Sequence, residues 1–224
     1  MLSESESEIK EKDAILVICA HSDDQILGCG GTMAKFAKKG IPVYTIIMSY
    51  GEKSHPHIQE EFIIKKRVKE AQVANDIIQG KKVFFLGLKE GKFETCAKET
   101  NAEEKLLNLF DILKVKTIFT HSSFDAHPDH IFTHKLVKSL VKNKDTLLYT
   151  FTVWNMLKGM NKLNDSPKLV IDITDTWKTK INALHAFQSQ KMQMSLPYVQ
   201  TYINAFFNGL NYGYRFAEVF IKEQ

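Results

Sequence analysis

The sequence predicts an α/β fold with a mainly parallel sheet and helices on both faces. Short apolar runs alternate with helical segments almost without a break, and strands at that spacing call for right-handed βαβ crossovers. Two of the runs, Ile15 to Ala20 and Thr117 to Thr120, lead into clusters rich in His and Asp. Open α/β sheets keep their chemistry at the carboxyl ends of such strands.

The elements follow in order. Ile15 to Ala20 is strand one. Gly28, Gly30 and Gly31 open a helix to about Lys39, stopped by Gly40-Ile41-Pro42. Val43 to Ser49 is strand two, and Tyr50-Gly51-Glu52 begins a polar loop carrying His55 and His57. A long helix runs from about Gln59 to Ile78, closed by Gly80. Lys82 to Leu86 is strand three, and Gly87 to Lys98, without a clear period, is a loop. Asn101 to Lys114 is an amphipathic helix with Leu106, Leu109, Phe110 and Leu113 on one stripe. Thr117 to Thr120 is strand four, His127-Pro128-Asp129-His130 opens the next helix, and Leu147 to Val153 is strand five.

Beyond that point the pattern loosens. Met156 to Pro167 is an excursion, Lys168 to Asp172 a strand, and Thr174 to Phe187 a helix capped by Thr174 or Asp175. Tyr198 to Phe220 holds one helix and a closing strand at Phe216 to Ile221. The polar, acidic residues 1–13 read as a flexible leader, unlike a secretory signal. Residues 14–224 form a single domain, with no linker, repeat or low-complexity tract inside it.

The formal charge of +4 is spread over 224 residues, and the lysine-rich patches fall on predicted helices. No basic motif interleaved with aromatics appears, so no nucleic-acid partner is expected. No window approaches the roughly 18 consecutive apolar residues of a membrane span. Cys19, Cys29 and Cys96 show neither metal-ligand spacing nor even pairing. Cys19 suits a buried, reduced thiol, and the expected location is the cytoplasm.

The chemistry centres on His21-Ser22-Asp23-Asp24 and the second cluster at residues 127–130. Catalytic zinc keeps three protein ligands and one open position. His21 and Asp24 on a tight turn can face one ion, with His130 or His127 as third ligand. One carboxylate of the Asp23–Asp24 pair then remains as a base, and a cation offsets the repulsion between the two. Either cluster alone fits a helix start, with Asp as cap or Pro128 and Asp129 in a first turn. Two clusters behind two strands are harder to explain that way. There is no Gly-x-Ser-x-Gly elbow, His-Glu-x-x-His helix or Walker loop. Gly28-Cys29-Gly30-Gly31 lacks the third glycine of a dinucleotide fingerprint, and close packing explains it better. His134 reads as a partly buried helix histidine.

In chain order stand Ala20-His21-Ser22-Asp23-Asp24-Gln25, the glycines at 28, 30 and 31, Arg67-Val68-Lys69-Glu70-Ala71, His127-Pro128-Asp129-His130, Ser189-Gln190 and Ala217-Glu218-Val219-Phe220. Together they resemble the PIG-L/LmbE-like family of zinc-dependent N-acetylglucosaminyl de-N-acetylases. That family's signatures read Ala-His-Pro-Asp-Asp-Glu, Gly-x-Gly-Gly, Arg-x-x-Glu-Ala and His-Pro-Asp-His. The resemblance implies a Rossmann-like, LmbE-like fold and one zinc per chain, held by His21, Asp24 and His130. It implies Asp23 as general base, with His127 stabilising the oxyanion and helping to protonate the leaving amine. Arg67 would contact the sugar or its substituent, with Glu70 one turn away to orient it. Asp129 would fix an imidazole from outside the ligand set, and Gln25 would stand beside the metal.

The implied reaction removes an N-acetyl group from an N-acetylglucosamine-type sugar or its conjugate. The alternatives are an amidase of amino-sugar thiol conjugates and a non-catalytic metal- or sugar-binding relative. The expected partner is a small N-acetylated amino sugar, with no nucleic acid and no membrane; a homo-oligomer is left open. Specificity is expected in the loops at Tyr50 to Ile58, Gly87 to Lys98 and Met156 to Pro167. Two positions depart from the signatures. Ser22 replaces proline, which loosens the turn, and Gln25 replaces glutamate, which removes one negative charge. On this reading Gln25→Glu raises activity modestly.

Overall fold

A computed structural model describes residues 13–54, 59–154, 166–190 and 195–223. The leader (apart from Asp13), His55, His57 and most of the excursion after Met156 lie outside the described residues. The elements are β1 (Ala14–Cys19), α1 (Asp24–Lys38), β2 (Val43–Ile47), α2 (Glu60–Ile77), β3 (Lys82–Phe85), α3 (Phe93–Glu99) and α4 (Ala102–Leu113). They continue with β4 (Val115–His121), α5 (Pro128–Val141), β5 (Leu147–Phe151), β6 (Lys168–Asp172), α6 (Trp177–Leu184), α7 (Ser195–Asn211) and β7 (Ala217–Lys222).

The strands form one sheet in the order β3-β2-β1-β4-β5-β7-β6. The first five run parallel, and β7 pairs antiparallel with both β5 and β6. The α/β expectation holds, with the parallel strands running from the β3 edge to β5 and the antiparallel pairing confined to the other end. Successive side chains of a strand point to opposite faces, and β1 divides accordingly. Ile15, Val17 and Cys19 join a core with Met33, Phe36, Ala74 and Leu184. Leu16, Ile18 and Ala20 join another with Leu106, Phe110, Leu136 and Val141. Thus α1, α2, α6 and α7 cover one face, while α3, α4 and α5 cover the other. Each fully buried aliphatic of β1 contributes about 1.5–3 kcal/mol, so this strand anchors both layers.

The chain leaves β1 toward β2 and later returns to β4 on its other side. The carboxyl ends of β1 and β4 therefore flank the crevice where strand order reverses, the usual ligand position in open α/β sheets. Both His/Asp clusters lie there.

The structure corrects three local expectations. Helix α1 begins at Asp24, ahead of the glycines, and Cys29 (φ −144°, ψ 20°) breaks it. The glycines serve close packing: a Cβ on Gly28 would run into the Phe151 ring, and one on Gly31 would sit 2.7 Å from Ile173. Within Gly87 to Lys98 lies α3, whose buried residues Phe93, Cys96 and Ala97 share one face; seven residues are too few to display a period. At the end of α2 the left-handed residue is Gln79 (φ 62°), not Gly80. Gly80 is needed because a side chain there would strike Asn75.

The break in α1 exposes backbone groups that a continuous helix would pair internally. Glu218 of β7 accepts from Gly31 N (3.0 Å) and Thr32 N (2.8 Å). Lys180 of α6 donates to Leu27 O (2.8 Å) and to Glu218 (2.5 Å). A buried ion pair thus caps both sides of the break.

Candidate metal centre and active site

The turn after β1 delivers the first donors. Asp24 sits in the first turn of α1, where the helix dipole favours a carboxylate, and its Oδ2 accepts from His21 N at 2.9 Å. That bond bends His21 back over the carboxylate, with Nδ1 3.3 Å from Asp24 Oδ2. From the opposite strand, α5 brings His130 Nε2 to 3.2 Å from the same oxygen and 3.3 Å from His21 Nδ1. Three donors converge with nearly equal separations. A tetrahedron with zinc bond lengths of about 2.0 Å has edges of about 3.3 Å, so this set fits a divalent metal of that size.

Charge supports the fit. Burial disfavours a protonated His21, but the carboxylates of Asp129 and Asp24 overcome it and raise its pKa to about 10. His130 is raised to about 9 against burial by Asp24 and Asp125. Asp24 is itself held well below the usual carboxylate range, against burial, by His130 and His121. The pocket thus draws two positive charges to the position where one dication would replace both protons.

Groups behind these donors fix their orientation. Asp129 Oδ2 lies 3.4 Å from His21 Nε2, and its carboxylate accepts from Gly91 N at 3.0 Å. Asp125 Oδ1 lies 3.0 Å from His130 Nδ1 and accepts from His127 N, while Oδ2 accepts from Val153 N at 2.8 Å. His121 stacks on His130 with ring centroids 3.8 Å apart, and its Nε2 accepts from Ala20 N at 3.0 Å. Burial, with the neighbouring His130, lowers the His121 pKa to about 4 and leaves the ring neutral. His121, Asp125 and His130 could also chelate, but none of the three lines the pocket beside Asp23, whereas His21 and Asp24 do.

Asp23 caps nothing: as N-cap residue of α1 it makes no side-chain hydrogen bond to the helix. It opens instead into a pocket of about 220 Å³ lined also by His21, Leu27, Arg67, Glu90, His127 and Trp154. Burial raises its pKa and the Arg67 guanidinium, 3.7 Å away, opposes the rise. Arg67 is only 2% exposed, and its Nε donates to Ser22 Oγ at 3.0 Å. The serine at the position of the signature proline therefore ties the turn to α2. A side chain on Gly51 would occupy the space of this guanidinium.

His127 is the N-cap of α5, with Pro128 behind it at the first helical position. Its Nδ1 accepts from Asp129 N at 3.2 Å, so a neutral ring carries its proton on Nε2. Burial, with His21 and His130 nearby, lowers its pKa and keeps it neutral.

Two sequence-predicted residues stand differently from their expected contacts. Both oxygens of Glu70 accept from Ser189, N at 2.8 Å and Oγ at 2.6 Å, so among the described residues Glu70 orients the Ser189-Gln190 turn, not Arg67. Gln25 Nε2 donates to Ser22 O at 2.8 Å; a carboxylate cannot make that bond. Sequence reasoning missed Asp125, His121 and Glu90. Asp125 accepts the amide two residues on, an Asx turn that Asp-x-His before a helix could have signalled. His121 looks like one more buried strand residue. Glu90 lies in a loop expected to set specificity, its Oε1 3.5 Å from His21 Nε2.

A family model described as PIG-L, GlcNAc-PI de-N-acetylase, matches residues 16–141, more than half of the chain, with both donor clusters inside. The probable N-acetyl-alpha-D-glucosaminyl L-malate deacetylase 2 of Bacillus subtilis (strain 168) is 24% identical over 187 residues, covering 80% of this chain and 84% of that protein. The structure of N,N'-diacetylchitobiose deacetylase from Pyrococcus horikoshii superposes with a TM-score of 0.79 at 19% identity, covering 94% of this chain and 83% of that one. The 4-carboxy-2-hydroxymuconate hydratase of Pseudomonas putida KT2440 is nearly as similar, with a TM-score of 0.77, 18% identity and coverage of 95% and 96%. The shared fold alone therefore does not name a reaction. The family match, with both donor clusters inside it, does name a lineage: the chain belongs to the PIG-L family of de-N-acetylases.

Proposed function

We propose that this chain is a zinc-dependent hydrolase that removes the N-acetyl group from an N-acetylglucosamine-type sugar or its conjugate. The observation that carries the reading is the triangle of His21, Asp24 and His130, 3.2–3.3 Å on each side, with uncapped Asp23 next to it. When bound there, zinc supplies a Lewis acid for the acetamide carbonyl and lowers the pKa of water.

The chain's own residues do the rest. Asp23 takes a proton from the attacking water; burial makes it a stronger base than an ordinary carboxylate, and Arg67 favours its ionised form. His127 offers Nε2–H to the carbonyl oxygen as that oxygen gains charge. A neutral ring that gave up this proton would become imidazolate, so His127 acts as a hydrogen-bond donor. The proton held by Asp23 passes to the nitrogen as the C–N bond breaks, giving free amine and acetate. Asp129 and Asp125 hold the two imidazoles, and Glu90 supplies an acceptor for a sugar hydroxyl. The pocket lies below the roughly 300–1,000 Å³ of drug-sized sites, which suits an acetamido group better than a bulky acyl group. Three free, buried cysteines suit the reducing cytoplasm we assign to it.

Amine and acetate release from a panel of N-acetylglucosaminyl conjugates, with and without added zinc, tests the reading. Zinc-dependent release in equal amounts is expected. His130→Ala should lower metal content from about one per chain, as a three-ligand site requires. Unchanged metal content would sink the assignment, and bound zinc without release on any conjugate would favour a binding module.

A further inference from the structure

Both departures from the family signature meet on one residue, Ser22. The serine is fully buried in the turn between β1 and α1. Its carbonyl accepts from Gln25 Nε2 at 2.8 Å, and Gln25 Oε1 in turn accepts from Cys19 Sγ at 3.5 Å. Its hydroxyl accepts from Arg67 Nε at 3.0 Å. A glutamate carboxylate at position 25 has no proton for the first bond, and proline at position 22 has no side-chain oxygen for the last. The two replacements therefore act together. Gln25 fixes the backbone of Ser22, and Ser22 fixes the arginine.

A guanidinium is a planar fork of N–H donors, so one bond at Nε sets the direction of all the rest. Asp23 Oδ1 stands 3.7 Å from Nη2, an ion-pair distance beyond hydrogen-bond range. Among the described residues, Ser22 Oγ is thus the hydrogen-bond acceptor that holds the fork. Gly51 backs the same end, since a side chain there would overlap Nε, Cζ and Cδ. The terminal nitrogens are left to face the pocket, which Arg67 lines beside Asp23, Glu90 and His127.

We infer that Ser22 is a positioning residue whose hydroxyl aims the Arg67 guanidinium into the pocket, so that its terminal nitrogens meet the sugar or its acetamido group in a fixed orientation. Orienting the group before the sugar arrives removes an ordering cost from binding. The consequence for the sugar rests on the reaction proposed above; the anchor rests on the geometry alone.

The chain has two arginines, Arg67 and Arg215, and Arg215 is exposed. An arginine Nε–H nuclear magnetic resonance spectrum of the zinc-loaded full chain should therefore show one slowly exchanging signal, from Arg67. Ser22→Ala should bring that signal into rapid exchange, with circular dichroism and metal content unchanged. On a conjugate that the wild type turns over, Ser22→Ala should also raise KM roughly tenfold, the scale of a hydrogen bond to a charged group. Its kcat should hardly change, as for a contact made equally in the ground and transition states. Ser22→Thr, which keeps the hydroxyl, should restore both the signal and KM. In an Arg67→Met background Ser22→Ala should add nothing to KM, because no guanidinium remains to be aimed; should Ser22→Thr fail to fold, this comparison decides. A wild type without the slow signal, or a Ser22→Ala chain that keeps it, would overturn the anchor. An unchanged KM in Ser22→Ala, or its full effect in the absence of Arg67, would overturn the positioning role. A wild type that turns over no conjugate fails the reaction and the positioning role with it, whereas the Nε–H signal still judges the anchor.

Discussion

The parallel half of the sheet and its antiparallel end do different work. The donors all come from the parallel half, His21 and Asp24 behind β1 and His130 on α5, with His121 at the end of β4 stacked behind them. The antiparallel end places Lys180, Ser189 and Glu218 behind those elements, where they hold α1 and α2 from outside the pocket. Chemistry is concentrated at one crevice, whereas its support is spread over partners more than a hundred residues away in sequence. The two halves should therefore fail in different ways.

Glu218→Ala should have the largest effect and act on stability. It strips Lys180 of its partner and leaves two helix amides uncapped, and breaking a buried pair costs about 3–5 kcal/mol. A melting temperature close to wild type would show that the break in α1 needs no such cap. Asp23→Asn should do the reverse. Melting and metal content should be retained while turnover falls roughly 10²-fold or more, the scale of general-base catalysis. Loss of metal from this variant would mean that the two aspartates had exchanged roles.

Gln25→Glu sharpens the comparison at the boundary of the crevice. Its amide donates to Ser22 O within the turn that carries Asp23, and a carboxylate there would face a carbonyl oxygen. The structure thus reverses the sign expected from the family signature. Activity should fall about tenfold, the lower end for groups that orient a metal site, and a rise would show that charge outweighs orientation.

The smallest effect is at the end of β7, where Glu223 meets α5. Against burial, His134 and Lys138 hold the Glu223 carboxyl down at about 2 from its usual 4.5. A carboxyl depressed in the folded state stabilises fully above its ordinary pKa, and that contribution is lost as pH falls from about 5 toward 2. Because Lys138 is solvated, the contribution should be on the order of 1 kcal/mol. Melting curves of wild type and Glu223→Gln should differ at neutral pH and converge in acid; a constant gap would refute the linkage.

The two halves also differed in legibility. β1 and β4 are local apolar runs, and the donors follow them within ten residues, so strand and donor can be read together. Glu218 and Lys180 are 38 residues apart, Glu70 and Ser189 119 apart, and no periodicity connects such pairs. His121 was hidden because it ends a run of five buried strand residues, 117–121, where a polar side chain looks like filler. α3 was hidden by its shortness. The direction of the Gln25 amide depends on which neighbour it finds, and that neighbour is a backbone carbonyl that no side-chain pattern displays.

The span between the donors has a kinetic consequence. His21 and His130 are 109 residues apart, and Ala20 N bonds to His121 across 101 residues. The centre closes only after β1 and β4 have paired, a contact of high sequence separation that forms slowly in parallel sheets. Before that pairing the chain offers a metal two half-sites and no complete one. A bound ion would therefore contribute little to the search for the fold and much to its persistence, favouring the finished state by mass action. Chelation should then quicken unfolding while leaving the rate of refolding nearly untouched.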